Sequence, residues 1–360
     1  KSRASDNDPK IQLAIDKLRT DLDNALVFEP VSVMTKELTP PSGDKHDYMS
    51  QGPYWWPNPD TAGGLPYIRR DGEVNPEVES LDSRKMGAMI GAVESLALGG
   101  YIFEDPSAAE HAALLLRTWF LDPATRMNPH LEFGQRIPGI CEGRGIGIID
   151  TSSYCRLIES IGLLETSGAL TDMDRSDLLM WMKTYREWLV SSEIGRDEAR
   201  QHNNHGTWYD AQLCALAAYT GDPRIVTKVA EEAKEYRIAT QIEPDGSQPH
   251  ELGRTRSMSY THYNTTAFLN IARYAENVEI DLLTYETEDG RSIRKTIDFL
   301  IPFVVNNERW TWQQIVDFDR TSFVSLFKRA AIGLKDPSYL DPIDFLPSSA
   351  ASDRVHLCFG

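Results

Sequence analysis

The chain has 360 residues, 41% of them hydrophobic and 9% aromatic, enough to bury a large core either as one domain built of repeated units or as two ordinary ones. Its 54 acidic against 37 basic residues give a formal charge of −17, which argues against nucleic acid or an anionic membrane as partner while leaving room for a local anion site. The four cysteines (Cys141, Cys155, Cys214 and Cys358) are scattered without a CxxC pair, so neither a zinc knuckle nor a disulfide scaffold is expected.

No apolar run approaches the roughly 20 residues of a membrane span, and the opening KSRASDNDPK has no apolar leader core. The chain reads as soluble, with no membrane insertion. The first unusual segment, 39–80, is a long connection dense in Pro, Gly and Asp that carries Tyr48, Tyr54, Trp55, Trp56 and Tyr67. A loop of that length is functional or disordered, and its aromatics favour packing, either as a lid over the end of the fold or as platforms for sugar rings. Arg69 and Arg70 beside Tyr67 favour a ligand that is both ring-shaped and anionic.

From there the dominant period is helical. DSRKMGAMIGAVESLALGG aligns Met86, Met89, Ile90, Val93, Leu96 and Ala97 on one stripe, with Asp82 or Ser83 to cap it and Gly99-Gly100 to stop it. A second stripe ends at Asp122-Pro123, and others follow over 152–166, 174–192, 207–220, 223–239, 261–276, 291–305 and 320–332. Strand-like alternation is scarce. Helix after helix without a fixed repeat consensus predicts an all-α fold of paired antiparallel helices around an axis, an α/α toroid. Residues 1–360 are expected to form a single catalytic domain. Long loops at one end would make a cleft, and a Pro-rich extended tail would run from about 335.

Two polar clusters stand before helices. In HNNHGTWYD (202–210), Asn204 and His205 fall at or just before a helix expected to start near Thr207, where free N–H groups and the helix dipole favour negative charge. Capping accounts for one Asn of such a cluster, not for all of it. Zinc on His202, His205 and His250 is an alternative, but without HExxH or thiolates no metal and no cofactor are expected. The second cluster, DGSQPHELGRTRSMSYTHYN (245–264), crowds His250, Glu251, Arg254, Arg256, Tyr260 and Tyr263 into a loop loosened by Gly246 and Gly253, ahead of a helix from about Thr261.

Asn, His, Arg and Tyr without an obvious carboxylate pair suit β-elimination from a uronic acid. The C5 proton is barely acidic until donors neutralise the neighbouring carboxylate, a task for Asn204, His205 and Arg254. A tyrosine such as Tyr260 can then take that proton and return one to the C4 leaving oxygen where both lie on one face of the sugar.

NNH followed by an aromatic pair, the RTRSMSY run reaching Tyr260, and YWWPNP with PYIRRDGEVNPE together resemble the α/α-toroid alginate lyases. The chain is similar to polysaccharide lyase family 5 and, more closely, family 38, whose members act on alginate or glucuronan. That resemblance implies a catalytic set of Asn204, His205, Arg254 and Tyr260. It also implies an anionic polysaccharide substrate and an exported, periplasmic or secreted protein. Substrate contacts are expected from Tyr54, Trp55, Trp56, Tyr67, Arg69, Arg144, Trp208, His250, Arg256 and Tyr263. The chain departs from the family 5 pattern where Gly206 and Thr207 separate His205 from Trp208. Two other classes compete: a glycoside hydrolase using two of Asp150, Asp210, Glu243 and Glu251, and a non-catalytic polysaccharide-binding protein.

Overall fold

Apolar residues recurring every three or four positions wind the chain into helix after helix, and the computed structural model, which describes residues 9–305 and 308–358, is mostly helical. The helices are α1 (Pro9–Leu26), α2 (Asp82–Phe103), α3 (Pro106–Leu116), α4 (Tyr154–Glu165), α5 (Asp172–Ser191), α6 (Glu193–Ala199), α7 (Asn204–Tyr219), α8 (Pro223–Ala233), α9 (Ala239–Gln241), α10 (Pro249–Leu252), α11 (Ser257–Ala275), α12 (Ile293–Val304), α13 (Phe323–Gly333) and α14 (Val355–Cys358). The strands are short: β1 (Met49–Gln51) pairs in parallel with β4 (Phe133–Arg136), and β2 (Trp55–Trp56) pairs antiparallel with β3 (Ile68–Arg69).

The elements group into two compact units. Of the described residues, one comprises those up to Thr20, Gln201–Cys214, and those from Pro223 onward; the other comprises Asp21–Arg200 with Ala215–Asp222. In the second unit α2 packs between α3 and α4, burying Met86, Met89, Ile90, Val93 and Leu96 completely. This helix corrects one expectation: by length and composition alone it is apolar enough to cross a membrane, yet half of its apolar window is buried as a core helix. In the first unit α11 packs against α8, α10, α12 and α13.

Helix α1 escaped the sequence reading although its stripe is regular, with Ile11, Ala14, Ile15, Leu18, Leu22 and Ala25 all buried. The tail expected to be extended is instead coiled into 3₁₀ turns at Pro337–Phe345 and Ser348–Ser352 before α14. It does so because Ala350, Val355 and Leu346 pack on Val324 of α13. Apolar side chains spaced along a Pro-rich segment reach one face only if the backbone turns.

Two helices end in a widened turn. Residues Arg117–Leu121 follow α3 with an i to i+5 bond, Asp122 N–H to Arg117 O at 2.8 Å, and Lys234–Ile238 follow α8 in the same way. The first of these places Arg117 over Asp174, whose oxygens accept from Nε at 3.1 Å and from Nη2 at 2.8 Å. Asp174 also closes the capping box of α5 with Thr171. Those bonds, that from Arg117 foremost, hold the Asp174 carboxyl down at about 2, below its ordinary 3.8. A carboxyl lowered on folding stabilises the protein above its unfolded pKa and loses that contribution as pH falls through the folded one. Asp174→Asn is therefore expected to lower Tm by a few degrees at pH 7. The gap from wild type should close between about pH 4 and pH 2, and a gap that stays constant over a pH series would contradict the pairing.

Candidate active site

The first polar cluster is built into the start of α7, three residues earlier than its apolar pattern suggests. Asn203 caps the helix, its Oδ1 accepting the His205 N–H at 3.3 Å. Asn204, fully buried, is bound to Glu251 twice: its backbone N–H donates to Oε1 at 2.6 Å and its Nδ2 to Oε2 at 2.7 Å. Asn204 Oδ1 is buried and accepts no hydrogen bond. His205 is half-buried and lies close enough to Glu251 to stabilise its charge. Burial pushes the Glu251 carboxyl up, and the Asn204 donors, Arg254 and His205 oppose that shift.

Gly206 is required where it stands. A Cβ there would come within 2.0 Å of the Gln201 carbonyl oxygen and 2.7 Å of the Arg237 guanidinium. Arg237, carried on the widened turn after α8, crosses at this point to donate to Gln201 O and to pair with buried Asp210 at 2.7 Å.

The second cluster is not a loosened loop. Pro249–Leu252 form a helical turn, α10, that buries Glu251 and Leu252, and α11 begins at Ser257, so Tyr260 stands in its first turn. Gly246 adopts φ +87°, and a Cβ there would meet the Lys295 carbonyl at 2.0 Å, so this glycine permits a close approach to α12. The Arg254 N–H donates to Glu251 O at 3.1 Å, and its guanidinium lies over the Tyr260 ring, 3.9 Å from the centroid. Arg256 bridges Gln314 through the backbone.

Gln314 was not anticipated from the sequence. Its Oε1 accepts the Met258 N–H at 3.0 Å and its Nε2 donates to Ser259 Oγ at 3.0 Å, fixing the turn that carries Tyr260. Trp310 donates to Ser257 Oγ at 2.8 Å beside it.

Beneath these residues runs a neutral buried network. Thr207 Oγ1 and Asn264 Nδ2 both donate to Gln241 Oε1, and Asn264 Nδ2 also donates to Gln248 Oε1 at 2.7 Å. Trp208 is buried against Tyr263, ring centroids 4.6 Å apart. His202 and His250 are exposed with their rings 4.6 Å apart, and burial, then the His202 charge, hold His250 below its usual value. Among the described residues no third His, Cys, Asp or Glu joins them in a metal-holding group.

The remaining nominated residues lie in the second unit. Trp55 pairs with Arg69 and Trp56 with Ile68 across β2 and β3, Arg70 lies over the Trp56 ring at 5.2 Å, and Arg69 pairs with Asp71. Glu77 gathers this segment, accepting from Tyr67 Oη, Gln51 Nε2 and Asn75 Nδ2. Tyr54 is half-buried, and its carbonyl accepts the Arg70 N–H at 2.8 Å. Arg144 donates to Gln135 Oε1 at 2.9 Å and reaches the Trp55 ring at 5.9 Å. Gln135, with a left-handed φ of +48°, is held by half-buried Asp150, which also accepts from Tyr48 and Ser50.

Asn204, His205, Arg254 and Tyr260 are thus gathered in one unit, with Glu251 the residue that two of them share through direct hydrogen bonds. Each carboxylate a hydrolase would recruit is engaged elsewhere: Asp210 by Arg237, Glu243 by Arg291 at 3.2 Å, Glu251 by Asn204 and Asp150 by its three donors.

Residues 32–310 match a family model described as alginate lyase. Among solved structures, an alginate lyase from Bacteroides ovatus shares 40% identity with a TM-score of 0.95, over 99% of this chain and 96% of that one. Alginate lyase A1-III from Sphingomonas species A1 shares 17% identity with a TM-score of 0.56, over 88% and 86%. A variant of A1-III complexed with tetrasaccharide shares 17% with a TM-score of 0.52, over 87% and 84%. No curated protein matches. The fold shared with these structures is the α/α toroid.

The Gln314 contacts make a testable claim of their own. Gln314→Ala leaves the Met258 N–H in the first turn of α11 without its acceptor, as loss of a helix cap does, and is expected to cost about 1 kcal/mol in urea denaturation. An unchanged midpoint would show that the Gln314 side chain does not hold that turn.

Proposed function

The chain belongs to the alginate lyase family, and from that membership we propose that it cleaves β-1,4-linked polyuronate, mannuronate-rich alginate or glucuronan, by β-elimination. The observation that carries this reading is the stacking of the Arg254 guanidinium on Tyr260 at 3.9 Å, in the same unit as His205 and Asn204. A cation against the ring stabilises negative charge on the phenolate oxygen.

In the proposed reaction the uronate carboxylate is neutralised by His205 and Arg254, which are half-buried, with Asn204 acting from the enclosed layer behind them. Neutralisation lets electron density from the C5–H bond move toward the carboxylate. Tyr260 takes the C5 proton, the C4–O bond breaks as the C4=C5 double bond forms, and Tyr260 returns a proton to the departing O4. One residue serves both steps in mannuronate and glucuronate, where the two groups lie on the same face. In guluronate they lie on opposite faces, and His205 would act as the base. The aromatic pair Trp55 and Trp56, with Arg69, Arg70 and Arg144 around it, is proposed to bind sugar rings and carboxylates of the polymer. On the same reading the enzyme meets its polymer in the periplasm or outside the cell.

Hydrolysis is the weaker reading because each carboxylate it would recruit is already engaged. Elimination leaves a conjugated double bond that absorbs in the ultraviolet, and hydrolysis does not. Incubation with polymannuronate, polyguluronate and glucuronan is expected to produce that absorbance with at least one polymer. Reducing ends without it would replace the lyase by a hydrolase, and binding without new ends would leave a binding protein.

Tyr260→Phe keeps the ring but removes the proton carrier, so kcat should fall far below a tenth of wild type, the threshold that corresponds to ~1.4 kcal/mol. His205→Ala removes a charge-stabilising donor and should lower kcat on the order of 100-fold with a smaller change in KM. Either variant retaining near wild-type kcat would remove that residue from the mechanism.

A further inference from the structure

We infer that Glu251 is a positioning residue for the elimination, orienting the Asn204 carboxamide through a direct hydrogen bond while fixing the turn from which Arg254 reaches Tyr260; the inference rests on the lyase reading above. Glu251 is 1% exposed, and both of its oxygens accept from Asn204, one from the backbone and one from the side chain. Capping of α7 accounts for only one of these bonds: Oε1 takes the Asn204 N–H as Asn203 takes the His205 N–H, whereas the bond from Nδ2 caps nothing. A buried carboxylate is costly unless its bonds are good, so a fold that needed only to fill this space would be better served by a neutral side chain.

The side-chain bond does something a cap does not. It fixes which end of the Asn204 amide faces Glu251: Nδ2 turns toward it, and Oδ1 turns away into a buried position without a hydrogen bond. A carboxylate acceptor admits only this orientation, because a flipped amide would set oxygen against oxygen. The same bond fixes the direction of the second Nδ2 hydrogen, the one that Glu251 does not take and that remains to donate to developing negative charge. The same residue's carbonyl accepts the Arg254 N–H at 3.1 Å, and Arg254 and His205 both lie close enough to stabilise its charge. The Glu251 side chain thus sets the position of a donor on α7, while its backbone carbonyl holds the turn from which the Arg254 guanidinium reaches over Tyr260.

The test uses Glu251→Gln, which keeps size and removes the charge and one acceptor. In that variant one Asn204 donor faces an NH₂ group, or the amide flips to relieve the clash. Melting temperature, kcat and KM on the polymer that wild type degrades fastest are measured for wild type, Glu251→Gln, Asn204→Ala and the double variant. With Glu251→Gln folded, kcat is expected to fall roughly 10- to 100-fold with KM within about threefold. In the Asn204→Ala background the same change should cost less than about threefold, because its target is gone.

A folded Glu251→Gln with kcat within about threefold of wild type, whatever its Tm, would overturn the inference and leave a structural role. Equal losses in both backgrounds would overturn it too, by showing that Glu251 acts independently of Asn204. Should Glu251→Gln not fold, Glu251→Asp poses the same question, keeping the charge but not the reach. It is expected to lose at least about tenfold in kcat, and kcat within about threefold of wild type overturns the claim. Wild-type activity is read first, so absence of unsaturated product from wild type fails the lyase reading itself and is not confused with a failed variant.

Discussion

A carboxylate buried at the start of a helix, bonded twice to the helix's first residue, is the constraint on which the candidate site depends. Asn204 and Glu251 are 47 positions apart in sequence and 2.6 Å apart in space. Holding them together brings the first turn of α7 against α10 and, through α10, against the first turn of α11. The neutral network of Thr207, Gln241, Asn264 and Gln248 continues the same junction one layer down. A polar layer of this kind admits few arrangements, because each donor displaced is left unmatched in a medium where water cannot compensate. The half-buried His205, Arg254 and Tyr260 stand on a base that is rigid for electrostatic reasons, not only through apolar packing.

The second unit uses the same device with other residues. Asp150 collects Tyr48 and Ser50, 102 and 100 positions before it, together with Gln135, and through Gln135 it holds Arg144. Glu77 collects Tyr67, Gln51 and Asn75 and gives the long aromatic loop its form. Lys36 and Asp82, both without exposure, tie the chain before that loop to the start of α2 at 3.0 Å.

Most helices were legible because core packing imposes a period of 3.6 that apolar residues must follow. Helix starts were less so. Both α7 and α11 begin with polar residues that carry no periodic signal, so the expected starts at Thr207 and Thr261 fell three and four residues late, and Asn204 and Tyr260 were placed before helices they belong to. The residue types of the site could be read from their crowding, whereas Gln314 and the role of Glu251 could not. Their partners are 56 and 47 residues away, and no local pattern reports a hydrogen bond across that distance. One weak signal existed: PHEL puts a Glu beside an apolar Leu just after Pro, the composition of a short helical turn and not of a solvated loop. The tail misled for the opposite reason, since proline suggested extension where buried Ala350 and Val355 required turns.

The widened turns after α3 and α8 have a meaning for how this chain can change over evolutionary time. Such a turn is a helix carrying one extra residue, and each residue in a helix rotates those after it by roughly 100°. Arg117 opens the first of these turns, and Arg237 lies inside the second, where it meets buried Asp210. Loss of a single residue within Lys234–Ile238 would swing Arg237 to another face and strand a carboxylate in the interior, whereas a neighbouring exposed helix could lose or gain a residue at its end without such an effect. Length is therefore fixed at these two points by charge, and insertions and deletions among related chains should fall outside them.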